Sequence, residues 1–125
     1  MDHSHLPHQH HEGTAHMLSL LPSVEEFTQL ADLFKLLGDP TRLRLFWILC
    51  HCEECVLNLA AMMEMSSPAL SHHLRILKTS GLISSRREGK EVYYKASDDP
   101  RSHALHESMA SMAQLSCPQG YCIAK

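Results

Sequence analysis

The chain has no apolar run long enough to cross a bilayer and no stretch laid out like a signal peptide. Those two absences set aside membrane-embedded and exported classes and predict a cytoplasmic protein with no membrane partner. An even set of cysteines is missing as well. Five Cys without an export signal argue against a disulfide scaffold and for metal binding or thiol chemistry. No phosphate-cradling loop and no acid–base pair stands out, so an enzyme is not expected. No internal repeat is present. There is no overall basic excess, since the net charge is −3. With 125 residues, 44% apolar and 20% charged, the chain fits one ordinary folded domain.

What the chain does have is histidine and unevenly placed charge. Six of its eleven His fall in the first sixteen residues. Residues 66–95 carry six bases (Arg75, Lys78, Arg86, Arg87, Lys90, Lys95) against two acids (Glu88, Glu91), a local +4. Residues 1–38 carry five acids and one base, a local −4. A basic segment in an acidic chain suggests one face that meets phosphate.

Residues 1–16 are poor in apolar side chains and read as a disordered arm, whose His3, His5, His8, His10, His11 and His16 have incidental or specific metal affinity. Ser23-Val24-Glu25-Glu26 has the form of a capping box, and Val24, Phe27, Leu30, Ala31, Phe34 and Leu37 follow at helical spacing. Gly38 ends that helix, and Asp39-Pro40 starts a second, mostly apolar one that places Trp47 in the core. A short third helix spans about 56–63. After a tight turn, Ser67 caps a fourth helix with Pro68 at its first position. Leu70, Leu74 and Leu77 form its apolar stripe, leaving Ser71, His72, Arg75 and Lys78 on the other side.

Two short helices joined by such a turn have the form of a helix-turn-helix. After Gly81 the composition turns strand-like over 82–87 and 92–96, with Glu88-Gly89-Lys90-Glu91 as a hairpin turn. A basic hairpin after a helix-turn-helix is a wing, and Arg86, Arg87 and Lys90 would reach phosphates or the minor groove. Asp98-Asp99-Pro100 starts a last helix to about Leu115. The predicted fold is therefore mainly α: a winged helix-turn-helix with a two-stranded β-hairpin wing and flanking terminal helices that pair two chains as a homodimer. The division is a His-rich arm over 1–20, the winged domain over 21–116, and a Cys-containing tail over 117–125. The DNA-facing residues are expected to be Ser67, Ser71, His72, Arg75, Lys78, Arg86, Arg87 and Lys90.

Four further residues are the expected metal ligands. Cys52 and Cys55, in a C-x-x-C spacing, allow a chelate turn, and Cys117 and Cys122 in the tail supply a second pair. Thiolate-rich sites favour zinc, cadmium, lead or copper(I), and trigonal thiolate favours arsenite. Cys50 continues an apolar run and reads as a core thiol. His51 is a lesser contender, and the His-rich arm or His103, His106 and Glu107 could complete the set.

The segments Leu36-Leu37-Gly38-Asp39-Pro40-Thr41-Arg42-Leu43-Arg44, Glu54-Cys55-Val56-Leu57-Asn58-Leu59-Ala60, Ser67-Pro68-Ala69-Leu70-Ser71-His72-His73-Leu74-Arg75-Ile76-Leu77-Lys78 and Gly89-Lys90-Glu91-Val92-Tyr93-Tyr94 together resemble the ArsR/SmtB family of metal-responsive bacterial repressors. The resemblance covers about 23–115. It implies a homodimer that occupies double-stranded operator DNA without metal and leaves it on binding a regulatory divalent ion, which frees efflux or resistance genes. Many relatives carry a Cys-Val-Cys-Asp box at the third helix. Here its first Cys corresponds to Cys55, but Leu57 and Asn58 stand where the second Cys and the Asp would be. Alternatives with the same residues are a thiol-redox or arsenite-responsive repressor of this fold and a His/Cys-rich metal-buffering protein.

Overall fold

The computed structural model describes residues 6–8, 10–118, 120 and 122. His3 and His5 of the arm lie outside them, as do residues 119, 121 and 123–125 of the tail. The chain divides into two compact units, with the boundary after Asp32.

In the first unit, α1 (Thr14–Ser19) follows Gly13. The arm is expected to lack structure to residue 16, whereas this short helix already starts at Thr14. Helix α2 (Val24–Leu37) starts in the first unit and ends in the second. Its cap is Ser23, whose Oγ accepts from the Glu26 N–H at 3.1 Å.

The second unit is built on α3 (Pro40–Leu49), α4 (Val56–Met63), α5 (Ser67–Thr79) and α6 (Pro100–Ala113) with a three-stranded antiparallel sheet. Asp39 caps α3 by accepting from the Arg42 N–H at 3.0 Å, with Pro40 at the first position. The cap of α5 is Ser66, one residue earlier than expected; its Oγ accepts from the Ala69 N–H at 3.2 Å. Ser67 and Pro68 then both lie inside the helix, since either serine satisfies the sequence rule and only backbone geometry separates them. The turn between α4 and α5 closes through Glu64, at φ 54°, with the Met65 N–H bonded to the Ala60 carbonyl at 2.9 Å.

Strands β2 (Ile83–Glu88) and β3 (Glu91–Ala96) form the wing, paired from Ile83↔Ala96 to Glu88↔Glu91 around Gly89 at φ 62°. The sequence did not reveal β1 (Glu54–Cys55), which pairs with β3 as Glu54↔Tyr94 and Cys55↔Tyr93. Two residues are too few for a period of alternation to show.

Leu45, Phe46 and Leu49 of α3, Leu59 of α4, and Leu70, Leu74 and Leu77 of α5 form the core with Leu82. Helix α6 docks on the wing base through hydroxyls: Ser102 Oγ donates to the Leu82 carbonyl at 2.8 Å, and Ser97 Oγ donates to the Gly81 carbonyl at 2.7 Å. Gly81, at φ 86°, takes a left-handed conformation that strains any other residue, and a Cβ there would also displace the Arg101 guanidinium, 2.7 Å away.

Candidate nucleic-acid interface and metal centre

The turn of α5 that buries Leu70, Leu74 and Leu77 necessarily turns residues 72, 75 and 78 away from the core. His72, Arg75 and Lys78 are exposed, and Ser67 and Ser71 are half-buried at the start of the same helix. Imidazole, guanidinium and ammonium groups thus stand on one open helix face, the donor set that base edges and phosphates accept. His73, beside them, is half-buried, and its Nδ1 has no hydrogen-bond partner. Burial pulls its proton affinity below the ordinary imidazole value, with Asp39 opposing the shift.

The wing cations differ among themselves. Arg87 and Lys90 are exposed. Arg86 is also exposed but engaged: it pairs with Glu53 at 2.7 Å and Glu88 at 2.6 Å, and its guanidinium lies 4.9 Å from the Tyr93 ring centroid. Both carboxylates raise its already high proton affinity. Arg86 therefore ties the wing to the segment before β1. Its charge is compensated, which lowers its value as a phosphate contact.

The cysteines separate into two groups. Cys55 is buried at the head of α4, fixed there by the β1 pairing. Cys52 donates from Sγ to the Ile48 carbonyl at 3.5 Å, and burial followed by the nearby Glu54 charge pushes its thiol up. That favours thiol over thiolate and disfavours redox reactivity at Cys52. The structure does not bring Cys52 and Cys55 together with the tail cysteines. Among the described residues, the ligand atoms that converge belong to His51, His106, Cys117 and Cys122, all within 4.8 Å of one another.

Local structure explains this convergence. His51 follows α3 directly, and its Nδ1 lies 2.7 Å from the Trp47 carbonyl. A carbonyl only accepts, so Nδ1 carries the proton and Nε2 presents a lone pair. That Nε2 is buried without a hydrogen-bond partner, a state that costs about 1–3 kcal/mol unless something fills it. His106 sits inside α6 with Nε2 3.1 Å from Cys117 Sγ and 3.5 Å from Cys122 Sγ. Gln114, at φ 53°, ends α6, and the Leu115 N–H bonds back to the Ala110 carbonyl at 3.0 Å, so the tail reverses toward His106. Burial, reinforced by His51, keeps His106 neutral to lower pH than usual, the form a metal requires. Cys50 is a buried core thiol as expected; burial, with Cys122 and Cys117 adding to it, pushes its pKa up to about 12.

Trp47, expected in the core, is instead half-buried and stacks on His106 with centroids 5.1 Å apart and 18° between planes. It lies one helical turn before His51, on the face of α3 turned from Leu45 and Leu49. Sequence reasoning gave His51 little weight and placed His106 only in a secondary set. No local spacing marks them, because the group forms only when the end of α3, the middle of α6 and the tail meet. His103 is half-buried and Glu107 exposed, and neither joins the group.

Residues 39–85 match the sequence profile described as bacterial regulatory protein, arsR family. The chain is 46% identical over 77 residues to a transcriptional repressor SmtB homolog of a Synechocystis strain, covering 62% of this chain and 58% of that one. It is 42% identical over 71 residues to a cadmium resistance transcriptional regulatory protein CadC homolog of Staphylococcus aureus, covering 56% and 59%. The match thus spans less than two thirds of either relative. An uncharacterized HTH-type transcriptional regulator of Methanocaldococcus jannaschii is 36% identical over 77 residues, 61% of this chain and 86% of that one. Among solved structures, the homodimeric winged helix-turn-helix DNA-binding domain of a Mycobacterium bovis protein superposes with a TM-score of 0.65 at 27% identity, covering 75% and 89%.

Proposed function

Since the chain belongs to the ArsR family of bacterial regulatory proteins, we propose that it is a homodimeric transcriptional repressor that holds double-stranded operator DNA and releases it on binding a thiophilic divalent ion. The observation that carries the DNA half is the face of α5, where His72, Arg75 and Lys78 stand exposed opposite a fully buried leucine stripe. Arg87 and Lys90 of the wing supply phosphate contacts beside it. The metal half is supported by the convergent His and Cys ligand atoms and by the cadmium-resistance regulator among the relatives. Zinc, cadmium or lead is the ion class, and metal efflux or resistance genes are the expected targets. The role is regulatory, not catalytic.

Coupling works through the helix-turn-helix. An ion that binds the two conformations of the dimer unequally shifts it away from the one that fits DNA, by at most its difference in affinity for them. Binding to labelled DNA from upstream of the gene tests the reading. Arg75→Ala is expected to weaken operator binding by about 1–3 kcal/mol, roughly 5- to 150-fold, with metal stoichiometry intact. A metal-buffering protein would bind the ion and show no preference for that DNA.

A further inference from the structure

We propose that His51, His106, Cys117 and Cys122 form a four-coordinate site for a divalent ion of zinc or cadmium type, completed within a single protomer and closed by the tail. Its regulatory meaning rests on the metal-release reading above; its capacity to hold an ion does not.

Two nitrogens and two sulfurs are a donor set for a borderline ion in tetrahedral geometry. Zn–N bonds of about 2.0 Å and Zn–S bonds of about 2.3 Å require ligand atoms roughly 3.3–3.8 Å apart. The 3.5 Å separation from His106 Nε2 to Cys122 Sγ falls within that range, and the 3.1 Å separation to Cys117 Sγ lies just below it. All four ligand atoms lie within 4.8 Å, so closing the site needs only a small contraction. Trigonal arsenite ligation needs three sulfurs, and this group has two.

The imidazole at position 51 is set in advance. The Trp47 carbonyl holds Nδ1–H and leaves the buried Nε2 lone pair with no other partner, which is how second-shell acceptors orient ligating histidines. The ligands come from three separate places: the end of α3, the middle of α6 and the returning tail. An ion there cross-links all three. Pro118, next to the ligand Cys117, lines a pocket of about 320 Å³ with Trp47, Ile48 and Met62, so a tail fixed by metal is also fixed beside α4 of the helix-turn-helix.

Cobalt(II) titration of the reduced full-length chain, with zinc displacement, tests the site directly. The expected result is one cobalt per chain, the intense visible bands of a tetrahedral ion, and a charge-transfer band scaling to two thiolates. Cys122→Ser and His51→Gln should each lower zinc affinity by about 100-fold or more, beyond the ~10–100-fold typical of second-shell changes. Cys52→Ser and Cys55→Ser should leave it unchanged. Cys122 lies in the tail outside the core, so Cys122→Ser keeps the assay readable should His51→Gln unfold; thermal melts of the metal-free variants check this. An octahedral spectrum, no binding, or loss of affinity in Cys52→Ser or Cys55→Ser in place of Cys122→Ser would overturn the site. Metal-driven DNA release persisting in Cys122→Ser would overturn this site's regulatory role and leave the repressor reading intact.

Discussion

At the scale of single residues, similar side chains take different roles according to what they touch. Arg86 and Arg87 are adjacent on β2, yet only Arg86 is clamped between Glu53 and Glu88. Removing the Glu53 charge should return Arg86 to the DNA face. Glu53→Gln is expected to tighten non-specific DNA binding and steepen its dependence on salt by up to about one phosphate contact. An unchanged salt slope would show that Arg86 never reaches phosphate. His73 carries a second consequence. Burial lowers its proton affinity in the folded chain from the ordinary 6.5, so below that pH the unfolded state binds more protons than the folded one. Stability of the metal-free protein should be level between about pH 7 and 8 and fall as pH drops through 6.5 toward the lower folded value. His106, shifted in the same direction, adds to the fall. Denaturation midpoints across this range measure it, and His73→Gln should flatten the slope; an equal slope in the variant would contradict the assignment.

At the scale of elements, the helices were legible because apolar period and caps agreed. Ser23, Asp39 and the leucines at 70, 74 and 77 each do what their spacing implies. The wing followed from a change of period and a glycine at the turn. What stayed hidden depends on contacts distant in sequence. Strand β1 exists because β3 comes back to it, and the left-handed Gln114 that returns the tail to α6 has no signal that an Asn or Gly would give. Cys52 and Cys55 are the natural metal pair by local spacing; Cys55 pairs through its backbone with β3, and Cys52 Sγ donates to the Ile48 carbonyl. The sulfurs of Cys117 and Cys122 converge with His51 and His106, which sit at two other elements. The tail's link to α4 gives an element-level prediction. Pro118→Gly should keep metal affinity but shrink the effect of metal on DNA affinity from the ~5–150-fold range of typical allosteric coupling toward unity. Undiminished coupling, read from operator titrations with and without zinc, would route the switch elsewhere.

At the scale of the whole molecule, Val24, Phe27, Leu30 and Phe34 repeat at helical spacing along α2 and are exposed, Val24 to 82%. Helix α6 adds Met112, exposed to 81%. Apolar stripes left open on terminal helices suit a symmetric partner, and two α5 helices related by a two-fold axis suit two half-sites in the major groove. The net charge of −3 leaves DNA attraction to the local +4 of residues 66–95, which makes binding sensitive to modest rearrangement of that face. A bound ion that fixes the end of α3, α6 and the tail has such a rearrangement within reach.

The central claim is that metal at His51, His106, Cys117 and Cys122 governs DNA affinity. Fluorescence anisotropy of labelled upstream DNA, titrated with the wild-type chain and with Cys122→Ser in the presence and absence of zinc or cadmium, tests it most directly. The expected result is a metal-induced rise in wild-type Kd within about 5- to 150-fold and none in Cys122→Ser, with equal metal-free affinities. Equal metal-induced release from both proteins, or no release from either, would contradict it.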